Sequence, residues 1–391
     1  MDSAHIASAA LVHLERLIAF DTTSRDSNLA LICYVEGFLG EHGIASHRVS
    51  NEDGSKANLY ATIGPSVAGG VVLSGHTDVV PVDGQDWTSD PFTLTRRGDR
   101  MFGRGTCDMK GFLALALAIV PQVARGGAAR PLHLAFSYDE EVGCLGAPSM
   151  IRELVRDLPA PLAVIVGEPT NMEVVSGHKG ISSWRVVVRG HEAHSSLTHL
   201  GVSANMVAVK LMHALSDIAA RLERDADHSS PYHPPHATLT IGVMKGGTAV
   251  NILARECEFI FDLRTPAGTD PQAIIAPFEA LCATEDAAIR ARFPDAGVEI
   301  VRRSATPSFA LLPDSPAESL ARRLAGDNGA PRVVSYAAEA GQFQEAGFST
   351  IICGPGSIEQ AHQPNEYLEV TQFERGAAFM ARLDEALPQR L

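Results

Sequence analysis

One short stretch constrains the fold and chemistry of this chain most: an apolar strand that ends in a histidine and, two residues later, an aspartate. Val71, Val72 and Leu73 form the apolar part, and His76 and Asp78 follow. In an extended chain, residues two apart point to the same side. The Asp78 carboxylate can therefore hydrogen-bond the His76 ring and fix which ring nitrogen faces a metal. An isolated pattern of this kind is usually an ordinary polar strand end, so the remaining motifs decide its meaning.

The composition is that of an ordinary globular protein, and it limits the classes of partner. The chain has 391 residues, of which 45% are hydrophobic and 20% are charged. This length predicts about two to three domains. The formal net charge is −14. General binding to nucleic acid or to an anionic membrane requires a basic surface, so we expect neither partner.

Three features of the sequence favour a cytoplasmic location. The first residues lack the positive and apolar regions of a secretory signal. The longest apolar run, 112–120, is too short to span a bilayer. The six cysteines are scattered without Cys-x-x-Cys pairs, which argues against a disulfide framework and against a thiolate zinc site. We therefore expect a cytoplasmic protein with reduced thiols.

Apolar runs of strand length alternate with helical patterns in the first part of the chain. Helical spacing of apolar residues predicts helices over 7–20, 28–42, 111–125 and 147–157. Short apolar runs predict strands over 59–63, 71–74, 133–137, 163–166 and 350–353. This alternation predicts an α/β fold, in which a mostly parallel sheet is covered by helices on both faces.

A second domain is predicted to be inserted into the first. Between residues 181 and 306 the pattern becomes strand, helix, strand, strand, helix, strand, which matches a split βαβ (α+β) arrangement. The predicted segments are the strands 183–189, 237–244, 257–264 and 298–303 and the helices 203–225 and 271–284. The α/β pattern resumes after it, so the predicted domains are 1–180 with 307–391, and 181–306.

Several acidic or histidine side chains follow predicted strands or a glycine-rich turn. They are Asp108 in the turn 103–111, Glu140 and Glu141 after the strand 133–137, Glu168 after the strand 163–166, and His362 in a glycine loop after the strand 350–353. Each has an ordinary explanation, a helix cap for Asp108 and a solvated strand end for the others. Their convergence favours a site, because ligands of open α/β sheets bind beyond the carboxyl ends of the strands.

This inventory of side chains suits two metal ions. Two histidines and three carboxylates give each ion one histidine, one terminal carboxylate and a share of a bridging aspartate and a bridging water, which is the tetrahedral count that zinc prefers. Mixed nitrogen and oxygen ligation would also accept cobalt or manganese. One carboxylate is then left over, as a general base requires.

Together these motifs resemble the di-zinc aminoacylase/carboxypeptidase family of metallohydrolases, over essentially the whole chain. The resemblance implies a zinc-peptidase-like catalytic domain with two divalent metal ions, Zn²⁺ or alternatively Co²⁺. It implies that one ion is held by His76, Asp108 and Glu168, and the other by Asp108, Glu141 and His362. It also implies that Asp108 bridges the ions and that the peptide bond from Asp108 to Met109 is cis.

The resemblance implies further roles. Glu140 would take a proton from the metal-bridging water and pass it to the leaving amine, while Asp78 would orient His76. The inserted domain would act as a lid and pair with that of a second copy in a homodimer, where His194 reaches the partner's active site and steadies the oxyanion. Asn251 would bind substrate, and Arg264 would bind its carboxylate.

Within the family, the chain is most similar to members that hydrolyse N2-acetyl-L-ornithine to L-ornithine and acetate, a step of arginine biosynthesis. The stretches that carry this likeness are 167–170, 176–180, 190–205 and 338–343, and Glu339 would meet the cationic end of the substrate. Removal of a succinyl group from succinyl-diaminopimelate stays open, since Lys179 could bind the additional carboxylate. Other N-acyl amino acid hydrolases and dipeptidases also stay open. A non-catalytic metal sensor would lack a ligand or Glu140, and none is missing.

Overall fold

The computed structural model describes residues 2–387, so Met1 and 388–391 of the predicted catalytic domain lie outside the described residues. The chain divides into two compact units. Unit 1 comprises the chain up to Gly177, Leu311–Arg332 and the chain from Ala338 onwards. Unit 2 comprises His178–Ala310 and Val333–Ala337.

Unit 1 contains a central mixed sheet. Its strands lie in the order β1-β2-β6-β3-β7-β14-β8. They are β1 (Ser46–Ser50), β2 (Ala57–Ile63), β3 (Val71–His76), β6 (Leu132–Ser137), β7 (Ala163–Val166), β8 (Val175–His178) and β14 (Thr350–Ile352). Two strands, β8 and β13 (Arg332–Val334), each contain a boundary between the units. A small three-stranded sheet is formed by β4 (Thr95–Arg97), β5 (Arg100–Phe102) and β15 (Tyr367–Glu369).

The centre of the large sheet is parallel and fully buried. The strand β3 pairs in parallel with β6 and β7, and β7 pairs in parallel with β14. Every residue of β3, β6 and β7 is buried. Parallel strands covered on both faces read as continuous apolar runs rather than alternating ones, which is why their sequences predicted them so closely.

Helices cover this sheet. In unit 1 they are α1 (Ser3–Ile18), α2 (Leu29–Glu41), α3 (Lys110–Ala124), α4 (Ala147–Asp157), α7 (Pro316–Ala325), α8 (Ala340–Glu345) and α9 (Val370–Ala386). The helix α3 is buried nearly all round, because it packs against both α1 and α9 as well as the sheet. At the start of α1, the Asp2 carboxylate accepts a hydrogen bond from the His5 N–H at 2.8 Å and caps the helix.

Unit 2 has a separate antiparallel sheet with two helices. Its strands lie in the order β10-β11-β9-β12. Its elements are β9 (Gly180–Arg189), α5 (Ala204–Arg224), β10 (Thr238–Gly246), β11 (Glu256–Thr265), α6 (Pro271–Arg290) and β12 (Gly297–Thr306). The core lies between this sheet and the helices, where Trp184 stacks on Phe261. The observed order of elements confirms the predicted fold class, an α/β fold with an α+β unit inserted.

Among residues 2–387, no helix combines the length and the apolar character that crossing a bilayer requires.

Candidate metal centre

The first group of candidate ligands forms around His76, the last residue of β3. Its ring Nδ1 lies 2.9 Å from the Asp78 carbonyl oxygen. Because a carbonyl can only accept, Nδ1 carries a proton, and Nε2 faces away from this contact. Nε2 lies 3.0 Å from Asp108 Oδ1 and 3.9 Å from Glu168 Oε1. Burial lowers the pKa of His76, but the hydrogen bond to Asp108 and the charge of Glu168 outweigh this effect and raise that pKa well above its usual range. Nε2 therefore also carries a proton in the metal-free protein, and a bound metal ion would displace it.

The spacing of two residues predicts that the Asp78 carboxylate hydrogen-bonds the His76 ring, but the carboxylate is too far from the ring to do so. It is 3.8 Å from His76 Nδ1, because the strand ends at His76 and the alternation of side chains ends with it. The carboxylate instead accepts from the Ser24 hydroxyl at 2.7 Å and from the N–H groups of Glu140 at 3.2 Å and Glu141 at 3.3 Å. Asp78 thus holds the His76 ring through its carbonyl and the Glu140–Glu141 main chain through its carboxylate.

The second group forms around His362. Its Nε2 lies 2.9 Å from Glu141 Oε2 and 3.4 Å from Asp108 Oδ2. Asp108 therefore offers one carboxylate oxygen to each histidine. It does not cap α3, whose N-cap is Met109 without a side-chain hydrogen bond. The peptide bond from Asp108 to Met109 is cis, as the resemblance implies.

Two sets of three side chains are thus arranged to hold metal ions. In each set, one ligand atom per residue can be chosen so that all lie within 4.8 Å of one another. The sets are His76, Asp108 and Glu168, and Asp108, Glu141 and His362. These are the two sets that the family resemblance assigns, and they share Asp108.

Two glycines let α3 approach the strand ends that carry the ligands. A Cβ at Gly75, directly before His76, would lie 2.5 Å from the Met109 side chain. A Cβ at Gly167, directly before Glu168, would lie 2.1 Å from the Phe112 ring. Any larger residue at these positions would push the start of α3 away from the ligands.

The carboxylates in and around the two ligand sets have the electrostatics of a cation-binding site. Burial raises the pKa of Glu141 to about 7 and raises the pKa values of Glu140 and Glu168 well above their usual range, with neighbouring carboxylates adding to the effect. Glu168 Oε1 is buried and has no hydrogen-bond partner among residues 2–387. Crowded carboxylates and an orphaned oxygen are costly without a positive charge, so the donor set fits divalent cations.

Glu140 belongs to neither set, but the charges of His76, Glu141 and Asp108 act on its buried carboxyl group. The Cys144 thiol lies 3.2 Å from Glu140 Oε1, and Cys144 itself is buried at a positive φ of 53°. This thiol contact was not predicted, because a cysteine four residues along in a loop does not by itself indicate one. None of the six cysteines takes part in a disulfide bond within residues 2–387.

The residues predicted to bind substrate or to steady the oxyanion are divided between the two units. Glu339 is buried in unit 1, where its Oε2 lies 3.4 Å from the Ser74 hydroxyl, and burial raises its pKa to about 7. His194, Asn251 and Arg264 belong to unit 2. His194 Nδ1 lies 2.8 Å from the Ser196 hydroxyl, and Arg264 Nε lies 3.2 Å from the Asp262 carboxylate.

Comparison with known proteins places the chain in a family. The model for the peptidase family M20/M25/M40 matches residues 72–385. The chain belongs to the M20 peptidase family. It is 33% identical over 377 residues to the acetylornithine deacetylase of Myxococcus xanthus, with 94% of this chain and 95% of that protein covered. It is also 33% identical over 366 residues to that of Pectobacterium atrosepticum, covering 92% and 91%.

Solved structures of M20 proteins share the fold. The metallo-carboxypeptidase of Sulfolobus solfataricus superposes with a TM-score of 0.78 at 16% identity, covering 97% of this chain and 99% of that one. A dinuclear metal-binding M20 peptidase of Bacillus subtilis gives a TM-score of 0.62 at 15% identity, covering 98% of each chain. Family membership confirms the resemblance drawn from the sequence and the predicted enzyme class, a hydrolase that acts on an amide.

Metal binding by this M20 protein is expected to strengthen as pH rises. Hydrogen bonds to Asp108 and Glu141 raise the pKa of His362 to about 10, and the pKa of Glu141 is about 7. Both groups hold protons in the metal-free protein at about pH 6, and ligands must lose them on binding. We therefore expect zinc affinity to be ~10-fold or more higher at about pH 7.5 than at about pH 6. Calorimetric zinc titration at both pH values checks this, and a pH-independent affinity would contradict it.

Proposed function

We propose that this protein is a two-metal amide hydrolase that removes the acetyl group from N2-acetyl-L-ornithine, giving L-ornithine and acetate in arginine biosynthesis. The observation that carries the proposal is the pair of ligand sets joined by Asp108, with Glu140 left over beside them. The identity of about one third to acetylornithine deacetylases, over nearly the full length of both chains, supports the choice of reaction.

The proposed metals are two divalent ions, zinc in preference to cobalt because histidine and carboxylate ligands suit zinc's low coordination number. His76, Asp108 and Glu168 would hold one ion, and Asp108, Glu141 and His362 the other. When bound, the ions would polarise the acetyl carbonyl and lower the pKa of the attacking water. The Nδ1–H donation of His76 to the Asp78 carbonyl supports this assignment, because it directs Nε2 towards the ion.

Glu140 is the proposed general base. It accepts a proton from the attacking water as the new C–O bond forms, and it returns that proton to the amine nitrogen as the C–N bond breaks. A raised pKa suits both halves of this transfer, and burial raises the pKa of Glu140. Asp78 supports the step by fixing the main chain of Glu140 through its carboxylate.

The proposed substrate contacts follow the resemblance. Glu339 would meet the δ-ammonium group of acetylornithine, Asn251 and Arg264 would bind the α-carboxylate end, and His194 would steady the oxyanion in the site of a partner subunit. A homodimer formed through the lid domain remains a prediction from the family resemblance. A cytoplasmic location remains a prediction from the sequence.

The position of Lys179 disfavours the succinyl substrate. The side chain is buried in unit 2, where its ammonium donates to the carbonyl oxygens of Pro234 at 2.8 Å and His236 at 2.7 Å. Burial, together with the positive charge of Arg264, lowers its pKa. An ammonium that is already bound to two carbonyls is a poor receptor for an acyl carboxylate.

The substrate assignment is tested by measuring amine release from N2-acetyl-L-ornithine and from N-succinyl-LL-diaminopimelate by the zinc-loaded protein, side by side. We expect turnover of the acetyl substrate and little of the succinyl substrate. Preference for the succinyl substrate would overturn the specificity argument and leave the metal chemistry intact. Chelator-treated protein is the control, and it should hydrolyse neither.

A further inference from the structure

Glu366 is a buried carboxylate whose two oxygens accept four hydrogen bonds from main-chain and arginine donors. Its Oε1 accepts from the N–H groups of Cys107 at 2.8 Å and Asp108 at 3.0 Å. Its Oε2 accepts from the Gly105 N–H at 3.0 Å and from Arg104 Nη1 at 2.7 Å. One side chain thus fixes the main chain of the loop that presents Asp108, including the amide of Asp108 itself.

The same network reaches the loop that carries His362. Glu366 follows His362 by four residues, and its carbonyl accepts from the Gly103 N–H at 3.0 Å. Arg104 Nη2 donates to Gln85 Oε1 at 2.6 Å, and Gln85 Nε2 donates to the His362 carbonyl at 3.0 Å. The two loops that supply Asp108 and His362 are therefore joined through hydrogen bonds that run from Glu366 to Arg104 and Gln85.

The chemistry of this contact requires an ionised carboxylate. Three main-chain N–H groups and a guanidinium can donate but cannot accept. A glutamine at position 366 would turn an N–H₂ group towards these donors and lose at least one of the bonds. Arg104 is itself 1% exposed and lies over the Trp87 ring at 5.2 Å, so its charge depends on Glu366 for a partner.

We propose that Glu366 is a positioning residue for the metal centre: by holding the Asp108 main chain and the His362 loop together, it sets the geometry in which Asp108 is shared between the two ligand sets. This inference rests on the proposed function, because it takes Asp108 and His362 as metal ligands. Groups that orient ligands in this way typically contribute ~10–100-fold to metal affinity.

The test is zinc titration of chelator-treated wild-type protein and of the Glu366→Gln variant, with a zinc-binding dye as competitor. We expect the variant to bind zinc ~10–100-fold more weakly. The matched control is Asp327→Asn. Asp327 also accepts from two main-chain N–H groups, of Val174 and Gly329, and from an arginine, Arg332, but it belongs to neither ligand set.

A second variant, Glu366→Asp, covers the possibility that glutamine prevents folding. It keeps the charge that Arg104 requires but is shorter by one methylene, and we expect an intermediate zinc affinity. Wild-type affinity in folded Glu366→Gln would overturn the inference, and so would an equal loss in Asp327→Asn, which would indicate a general effect on stability. Wild-type protein that binds no zinc would contradict the proposed function itself, and the inference with it.

Discussion

Replacement of Glu140 by alanine is expected to remove nearly all turnover of N2-acetyl-L-ornithine while the bound zinc stays at the wild-type level. A positioned general base contributes ~10²–10⁴-fold to the rate, so kcat should fall by that factor. Metal content should not change, because Glu140 belongs to neither ligand set. Steady-state kinetics and elemental analysis of the same preparation measure the two quantities together.

The matched control for Glu140 is its neighbour Glu141. Glu141→Ala should lose zinc as well as activity, since Glu141 Oε2 lies 2.9 Å from His362 Nε2 within the second ligand set. If Glu140→Ala loses zinc and Glu141→Ala keeps it, the roles of the two residues are exchanged.

Replacement of Asp108 by alanine is expected to have the broadest effect on the metal centre. Asp108 is common to both ligand sets, and its oxygens approach His76 at 3.0 Å and His362 at 3.4 Å. We expect the variant to retain neither ion after gel filtration. Turnover should fall below ~10⁻³ of wild type, because a bound metal lowers the pKa of its water far below the bulk value and the variant would lose this effect.

Glu168→Gln is the control for the shared role of Asp108. Glu168 belongs only to the set that contains His76 and Asp108, so this variant should lose one ion and keep the other. Full zinc content in Asp108→Ala would contradict the shared position, and equal metal loss in both variants would indicate that the sets are not independent.

The sequence predicted those parts of the fold that depend on continuous burial. The strands β3, β6 and β7 are buried along their whole length, so their apolar runs were unambiguous. The residue pair His76 and Ser137 lies at the same level of the parallel pairing between β3 and β6. The side chains that follow these strands therefore meet at one edge, as the position of the motifs predicted.

The parts that escaped prediction depend on contacts between distant segments. Glu366 receives hydrogen bonds from main-chain N–H groups some 260 residues away in sequence. Such contacts cannot be predicted from residue types, because every residue except proline has a main-chain N–H group. The Asp78 carboxylate does not hydrogen-bond the His76 ring, because β3 ends at His76 and the alternation of side chains does not extend to Asp78. Lys179 reads as an accessible charge, yet its ammonium is bound by the carbonyls of Pro234 and His236.

The two-metal centre is tested most directly by anomalous X-ray diffraction at the zinc absorption edge from crystals of the zinc-loaded protein. Two anomalous peaks are expected, one bounded by His76, Asp108 and Glu168 and the other by Asp108, Glu141 and His362, with Asp108 between them. Zinc bound by other side chains, or a single peak without contact to Asp108, would contradict the two-metal centre on which the proposed hydrolysis depends.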